Sequence, residues 1–459
     1  MKTGDQIVQD LPWRWRVQGK IFVIGGLGYM FDAWDVALNG FLTPLLGTEF
    51  GLSLGERGLV ATANLIGMAA GAVAWGTVAD RMGRKRAFGL TLLIFALFSV
   101  VGAAAPGFEV FLLFRFLAGV GLGGCIPVDY ALVGEFSPSR LRGKVLAAMD
   151  VWWPVGATLS GVAATLLGPL PGNWRWMLAV MILPALLLFW VRRGIPESPL
   201  YLAGTGREQE ARTIIDDLVK RTGATPQPYV IEPPVDDGAS RGLRAALGQL
   251  RLVWAFSPRV TSAAWLLFIT IMTMYYVALS WMPSILIKEG YTDYAAFGKT
   301  TLMTAVGIVG VLVSAWLIEA VGRKWVIGVS APVGAGALVG FALYLDVRSA
   351  ALLWLAVFGF VVQLTIPVLY AYVAELYPTR IRASGFGWAS SVSRVTSGFI
   401  PMIFGGLLWP ALGLTMTFVA LGALVLAVVL WMAIAAPETR GRELDRITDP
   451  SGDTVTAST

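Results

Sequence analysis

The chain has 459 residues, of which 56% are hydrophobic and only 14% are charged, and its formal net charge is +6. Soluble proteins carry about 25% charged residues, so this composition is typical of a protein that lies largely within a membrane. The chain has no histidine and a single cysteine, Cys125. This excludes histidine metal sites, serine–histidine or cysteine–histidine catalysis and a disulfide framework.

Apolar runs of about 20 residues recur along the whole chain, and each is long enough to cross a bilayer core of roughly 30 Å. Hydropathy therefore predicts an all-α membrane protein with twelve transmembrane helices. The predicted spans are 19–43, 57–79, 87–105, 109–135, 144–167, 174–192, 259–287, 296–319, 325–345, 349–376, 384–409 and 412–435.

The basic residues predict the orientation of these spans. Of the 35 lysines and arginines, 28 fall in the tails and loops on the side of both termini, 5 fall on the opposite side and 2 lie inside spans. Cytoplasmic loops are the ones enriched in lysine and arginine, so we expect both termini in the cytoplasm. The excess positive charge follows this rule, and we expect no nucleic-acid partner. The expected location is a bacterial-style inner membrane.

Composition also predicts four segments. These are a six-helix bundle over 1–193, a cytoplasmic linker over 194–258, a second six-helix bundle over 259–436 and a cytoplasmic tail over 437–459. Within the linker, Glu208 to Lys220 has the apolar spacing of an amphipathic helix. We expect the protein to be a monomer.

One pattern occurs twice, 240 residues apart: IPVDYALVGEFSPSRLR at 126–142 and IPVLYAYVAELYPTRIR at 366–382. Shorter echoes lie at nearly the same offset, with Gly-Arg-Lys at 83–85 and 322–324. A repeat of two large apolar halves is typical of transporters whose binding site lies between the halves, near the middle of the membrane.

Charged residues recur at matched positions in the predicted cytoplasmic loops. They are Asp80, Arg81, Gly83, Arg84, Glu135 and Arg142 in the first half, and Glu319, Arg323, Glu375 and Arg382 in the second. We predict a cytoplasmic latch whose charge-assisted hydrogen bonds form and break as the halves rock against each other. The alternative is that these charges only mark the cytoplasmic side.

The loop at 76–86, GTVADRMGRKR, matches the signature G-x-x-x-D-R-x-G-R-[KR] at every fixed position. Each half also has an E-x-x-P-x-x-x-R motif and a Pro-Glu-Ser or Pro-Glu-Thr motif. These motifs resemble the sugar-porter-like branch of the major facilitator superfamily. Asp32-Ala-Trp-Asp35 is similar to the D-G-x-D motif of aromatic acid/proton symporters, with alanine in place of glycine, and also resembles bacterial niacin transporters and synaptic-vesicle-like relatives.

Two acids lie inside the first predicted span. Asp32 and Asp35 are three residues apart and Asn39 continues the same helix face, which must point inward because a charge at a helix centre costs about 2.5–3.5 kcal/mol. Neighbouring carboxylates repel in a poor dielectric, so we expect at least one to take up a proton near neutral pH. We predict proton coupling here, and the alternative is a structural pairing with an arginine.

Arg115 lies in the fourth predicted span, followed on its face by Gly119 and Gly123, which let another helix pack closely. The family resemblance implies that Arg115 pairs with the acid of the first span and releases Asp35 when a proton arrives. For Asp129 and Asp150 we expect contact with the cytoplasmic vestibule or the latch rather than with a substrate.

Arg394 lies about 15 Å along the eleventh predicted span, near the middle of the membrane. A permanently charged, forked donor at this depth suits a carboxylate ligand, and the alternative is a salt bridge to an acid of the seventh or tenth span. The other predicted substrate-binding residues are Trp388, Tyr276 and Trp34, which can stack on an aromatic ring, and Asn39.

These features together predict a proton-coupled symporter that moves a small organic anion by alternating access, with an aromatic carboxylate such as nicotinate as the expected cargo. The partners are then the cargo, protons and the lipid bilayer, with no cofactor and no metal. The alternatives are a sugar/proton symporter or an organic-cation transporter on the same fold, and a membrane receptor that does not transport. We expect no enzyme, because the sequence has no nucleotide-binding loop, metal cluster or nucleophile–base set.

Overall fold

The computed structural model describes residues 1–232, 243–378 and 380–441, and only the backbone at 76, 77, 80, 126, 127, 188, 189, 192, 193 and 243–245. Part of the predicted linker and most of the predicted cytoplasmic tail therefore lie outside the described residues. What is described is almost entirely helical, with one short parallel strand pair in which Lys2 lies opposite Tyr229.

The elements up to residue 232 include every helix of the predicted first bundle. In chain order they are β1 (Lys2–Thr3), α1 (Gly4–Asp10), a π-helical turn (Trp15–Gly19), α2 (Lys20–Glu49), α3 (Leu54–Met82), α4 (Arg84–Gly102), α5 (Phe108–Leu122), α6 (Cys125–Phe136), α7 (Arg142–Met149), α8 (Trp152–Leu167), α9 (Asn173–Ala179), a 3₁₀ turn (Val180–Ile182), α10 (Leu183–Gly194), α11 (Pro199–Gly204), α12 (Glu208–Thr222) and β2 (Tyr229–Val230).

The elements from residue 243 onward are longer and less interrupted. They are α13 (Leu243–Phe256), α14 (Pro258–Lys288), α15 (Asp293–Ala320), α16 (Arg323–Leu343), α17 (Arg348–Glu375), α18 (Arg382–Ile403), a π-helical turn (Phe404–Leu408) and α19 (Trp409–Ala435).

Within the described residues, nine helical stretches are long and apolar enough to cross a membrane. They are Trp15–Glu49, Leu54–Trp75, Arg84–Gly102, Arg142–Leu167, Pro258–Lys288, Asp293–Ala320, Arg323–Leu343, Arg348–Glu375 and Arg382–Ala435. The all-α membrane class predicted from composition is thereby confirmed.

Glycines explain where the helices depart from the predicted spans. The predicted span 109–135 is divided between α5 and α6, with Gly123 and Gly124 at the break. A Cβ on Gly119 or Gly123 would collide with carbonyl oxygens of α3, so glycine allows α5 to lie directly against α3. The stretch Arg382–Ala435 holds two predicted spans, and Gly413 interrupts it with a φ of +74°.

Among the described residues, most of the contact between the first and second halves of the chain is made by three pairs of helices: α2 with α14, α3 with α18, and α8 with α15. Close backbone approach makes these contacts tight. A Cβ on Gly40 of α2 would collide with the Leu279 carbonyl of α14, and one on Gly58 of α3 would lie 2.5 Å from the Pro401 carbonyl of α18. The candidate site lies between helices that are held together in this way.

The predicted amphipathic helix of the linker is present as α12. It buries Ala211, Ile215 and Leu218 on one face, and Ile215 packs against Gly4 of α1. The Arg14 guanidinium donates to the Thr222 carbonyl over 3.1 Å. The N-terminal segment and the first part of the linker thus form one packed layer.

Candidate substrate and proton site

Asp35 of α2 and Arg115 of α5 form a fully buried ion pair. The Nη1 and Nη2 atoms of Arg115 each donate to a different oxygen of the Asp35 carboxylate, both over 2.8 Å, and both side chains are 0% exposed. This two-bond geometry orients both groups as well as pairing their charges. The structure thus brings Asp35 and Arg115 together, while their role in proton coupling stays a prediction.

Polar side chains from two further helices complete this cluster. Asn64 of α3 and Ser99 of α4 donate to the Asp35 carboxylate over 3.0 and 3.4 Å. Asn39 accepts from Arg115 Nε and Nη2 over 3.1 and 2.8 Å, and donates to Asn64 over 3.0 Å. Asn39, which we predicted to bind the substrate, therefore makes side-chain contacts with Arg115 and Asn64. Sequence reasoning missed Asn64 and Ser99, although an asparagine inside an apolar run was a usable signal.

Asp32 lies three residues before Asp35 and has a different environment. Its side chain is 0% exposed, and among the described residues neither carboxylate oxygen has a hydrogen-bond partner. Burial without a partner costs much more for a charged carboxylate than for a protonated one. The Asp35 carboxylate is thus paired with Arg115, whereas neither oxygen of Asp32 is offset by a hydrogen bond or an ion pair among the described residues.

Arg394 of α18 lies on the wall of a cavity between the two halves. No described acid comes within 4 Å of its guanidinium, so the alternative of a salt bridge to α14 or α17 has no support in the described residues. The charge instead faces the phenol groups of Tyr276, Tyr370 and Tyr29, with Asp32 also within electrostatic range. An arginine in this setting has donors available for a ligand.

The cavity beside Arg394 is formed by helices of both halves of the chain. Its wall is mainly aromatic and apolar with a few polar groups. It is lined by Tyr29, Asp150 and Trp153 from the first half, and by Met272, Tyr275, Tyr276, Val311, Gln363, Ile366, Pro367, Tyr370 and Arg394 from the second. Both halves thus contribute to one site, as alternating access requires.

Hydrogen bonds join the two halves at the cavity wall. The Tyr275 hydroxyl accepts from the Trp153 indole over 2.8 Å and from the Gln363 amide over 3.0 Å. Asp150 also lines the cavity and accepts from the Tyr130 hydroxyl over 2.5 Å, while its expected place at the vestibule or the latch stays a prediction.

The predicted aromatic ligands separate into two groups. Tyr276 lines the cavity, whereas Trp34 and Trp388 lie outside its lining as the described residues form it. Trp34 is buried against Phe31 on α2. Sequence reasoning missed Tyr370, although it belongs to the second copy of the repeated motif, which also supplies Ile366 and Pro367 to the wall.

The predicted latch residues form two similar networks, one in each half. In the first, Arg84 lies 3.5 Å from Glu135, and Glu197 accepts from the backbone amide of Lys85 at the start of α4 over 3.1 Å. Gly83 has a φ of +94°, and a Cβ there would lie 2.6 Å from Glu197 Oε2. The glycine thus leaves room for the glutamate at the helix N-terminus.

In the second half, Arg323 pairs with Glu375 over 3.1 Å and with Glu319 over 3.2 Å. Glu438 accepts from the backbone amides of Arg323 and Lys324 over 3.1 and 3.0 Å. Each of these ion pairs joins helices of the same half, so opening and closing between the halves stays a prediction.

Three of the remaining latch candidates, Arg81, Arg142 and Arg382, lie at helix ends. Arg81 is exposed, and its carbonyl accepts from the Tyr201 hydroxyl over 3.0 Å. Arg142 and Arg382 begin α7 and α18 at matched positions of the repeat. The side chain of Asp80 lies outside the described residues.

The fold and this site define a multi-pass membrane transporter and not an enzyme. The pattern of the sugar (and other) transporter family matches residues 21–449. The chain therefore belongs to this family of the major facilitator superfamily, and the resemblance inferred from the motifs is confirmed.

Relatives with assigned cargoes match along nearly their whole lengths. The niacin transporter of Acinetobacter baylyi is 32% identical over 427 residues, which is 92% of this chain and 94% of that protein. The gallate transporter of Pseudomonas putida is 30% identical over 441 residues, or 94% and 95% of the two chains. The xylose transporter of Escherichia coli, in a partially occluded inward open conformation, shares the fold with a TM-score of 0.75 at 18% identity over 93% of this chain and 99% of its own.

Proposed function

We propose that the protein is a proton-coupled symporter of a small organic anion, with an aromatic carboxylate such as nicotinate as its cargo. The observation that carries the proposal is Arg394, a guanidinium without a described acidic partner on the wall of a largely aromatic cavity. Its planar fork matches a carboxylate in two parallel hydrogen bonds, and Tyr276 and Tyr370 beside it offer ring faces to an aromatic body.

The names of the relatives support this class of cargo. Niacin and gallate are different molecules, but each is a carboxylate on an aromatic ring. The feature they share is the one that a guanidinium flanked by aromatic side chains recognises. The rest of the cavity wall then sets which ring is preferred.

Proton coupling is assigned to the first half. Asp32 takes up a proton, because burial without a described partner disfavours its charge, and the Asp35–Arg115 pair lies on the same helix face. Moving one proton with one monoanion is electroneutral, which avoids a cost of about 2.3 kcal/mol per charge for each 100 mV of membrane potential.

The twelve-span layout belongs to the same proposal. It adds three spans to the nine apolar stretches: α5 with α6, α9 with α10, and the second part of Arg382–Ala435 beyond Gly413. The segments 1–193, 194–258, 259–436 and 437–459 then form two bundles, a linker and a tail. The uneven distribution of basic residues supports cytoplasmic termini in an inner membrane.

The test is nicotinate uptake into proteoliposomes under an imposed pH gradient. A gradient of about one pH unit, acid outside, should drive roughly tenfold accumulation, since a tenfold concentration ratio corresponds to about 1.4 kcal/mol. A protonophore should return the internal concentration to the external one. Uptake that is unchanged when the gradient collapses would remove proton coupling from the proposal.

An organic-cation transporter is the second candidate, and the cavity position of Asp150 is the observation that favours it. A thermal-shift panel of nicotinate, benzoate, nicotinamide, an aromatic amine and xylose separates the candidates. A ligand at about 100 times its Kd stabilises the folded state by about 2.7 kcal/mol. Stabilisation by the two carboxylates alone supports our proposal, stabilisation by the amine supports the cation transporter, and stabilisation by xylose supports the sugar/proton symporter.

A further inference from the structure

A third buried acid, Asp129 of α6, has no role in the site described above. Its side chain is 0% exposed, and among the described residues neither of its oxygens has a hydrogen-bond partner. Asp32 has the same two properties. A carboxylate in this setting is costly, so its presence requires a reason other than packing.

Asp129 lies close to Asp32 along α2. Its Oδ2 atom packs at Gly28, where a Cβ would lie 2.8 Å from that oxygen. Gly28 precedes Asp32 by four residues, which places it on the same helix face and about 6 Å nearer the start of α2. In the proposed orientation the start of α2 is its cytoplasmic end, so Asp129 lies between Asp32 and the cytoplasm.

The surroundings of Asp129 contain few ionisable groups. Phe88 of α4 packs against the same point of α2, the thiol of Cys125 lies on its own helix, and Asp32 is the acid that faces it. Asp32 in turn faces Arg394 of α18 and Asp35 of its own helix, and lies near the phenols of Tyr276 and Tyr370. Asp32 is therefore the link between Asp129 and the cavity.

The repeated motif shows that the fold does not need an acid at this position. Tyr130 and Tyr370 coincide in the two copies, but the residue before them is Asp129 in the first and Leu369 in the second. Leu369 is also 0% exposed. The same helix packing is thus compatible with an apolar side chain, which is the cheaper choice in a buried position.

We infer that Asp129 is the second proton site of the transporter, which receives the proton from Asp32 and passes it toward the cytoplasm. This inference rests on the proposed function. In the transfer, the O–H bond of the Asp32 carboxyl breaks and an O–H bond forms on the Asp129 carboxylate, so that the two acids keep one proton and one negative charge between them. No further reactant is needed.

Infrared difference spectroscopy of the purified full-length protein tests this without any cargo. A pH step in the wild type should change the C=O band of protonated carboxyl groups. Asp129→Asn should remove one component and shift that of Asp32, whereas Asp293→Asn, which alters an exposed acid at the start of α15, should change neither. An Asp129→Asn spectrum identical to that of the wild type would overturn the inference.

A second variant covers the case in which Asp129→Asn fails to fold. Asp129→Glu should keep the C=O component of the residue at position 129 but at a shifted frequency, and an unshifted component would overturn the inference.

Transport of nicotinate tests the coupling itself. Accumulation driven by a pH gradient needs net proton release, whereas exchange of internal for external nicotinate does not. Asp129→Asn should therefore lower accumulation about tenfold more than it lowers exchange, and equal losses would contradict a proton role. If the wild type itself ignores the gradient, the proposed function fails, and the infrared result decides separately whether Asp129 exchanges a proton with Asp32.

Discussion

The two halves of the molecule share one frame but differ in where they bury charge. The networks of Arg84 with Glu135 and of Arg323 with Glu375 have the same construction. In contrast, all charged side chains that are fully buried in the described helices belong to the first half: Asp32, Asp35, Arg115 and Asp129. The second half instead places Arg394 on the cavity wall. The repeated residues thus build the scaffold, and in our proposal the unrepeated ones bind the proton and the cargo.

The largest expected effect comes from breaking the buried pair of the first half. Arg115→Gln leaves the Asp35 carboxylate buried without its partner, so it should lower the free energy of unfolding by about 3–5 kcal/mol. Chemical unfolding in detergent micelles measures this. The matched control is Arg175→Gln, which breaks an exposed pair with Glu49 and should cost about 0–1 kcal/mol. Equal losses of unfolding free energy in the two variants would mean that burying the Asp35–Arg115 pair does not make its loss more costly than that of an exposed pair.

The second prediction concerns the cargo side of the comparison. Arg394→Gln should weaken nicotinate binding roughly 10- to 100-fold, since a hydrogen bond to a charged group contributes about 1.5–3 kcal/mol. The affinity of Arg394→Lys should lie between those of the wild type and Arg394→Gln, because lysine keeps the positive charge but lacks the planar fork of the guanidinium. Isothermal titration calorimetry gives the affinities of the wild type and of both variants. An unchanged affinity in Arg394→Gln would remove this arginine from the binding site.

The third prediction tests whether the shared frame is equivalent in both halves. Glu197→Gln and Glu438→Gln each replace a carboxylate with a neutral amide, at a position where the carboxylate accepts hydrogen bonds from the backbone at a helix N-terminus. Each should lower the free energy of unfolding by about 0.5–2 kcal/mol. A loss confined to one half would show that the two networks have different roles.

The smallest effects are expected at aromatic residues away from the cavity. Trp388→Phe and Trp34→Phe should change nicotinate affinity less than about twofold, whereas Tyr276→Ala should lower it several-fold because the loss of a ring contact costs about 0.5–1.5 kcal/mol. The same calorimetric titration ranks the three variants. A large effect of Trp388→Phe would place that ring at the cargo in a conformation other than the one described.

The sequence predicted much of this arrangement where the signal was local. Hydropathy located the nine apolar stretches found in the described residues, and the depth of Arg394 along its helix predicted a position at a central cavity, which it lines. The partner of Asp35 followed from family resemblance. The break at Gly123 and Gly124 was not predicted, because a glycine inside an apolar run carries no hydropathy signal.

What the sequence did not reveal depends on helix rotation and on contacts between distant helices. Asn64 and Ser99 reach Asp35 from 29 and 64 residues away. Trp34 and Trp388 have the right chemistry for an aromatic cargo, but the packing of α2 and α18 directs other residues to the cavity. Asp150 lines the cavity from the junction of α7 and α8, a position that the sequence pattern did not predict.

The division of labour between the halves can be tested in one measurement. Proteoliposomes with an internal pH indicator report proton entry while labelled nicotinate uptake is followed, for the wild type, Asp32→Asn and Arg394→Gln. We predict one proton per nicotinate in the wild type, nicotinate uptake without proton entry in Asp32→Asn, and a strong reduction of both nicotinate uptake and proton entry in Arg394→Gln. Proton entry at the wild-type ratio in Asp32→Asn would contradict the account.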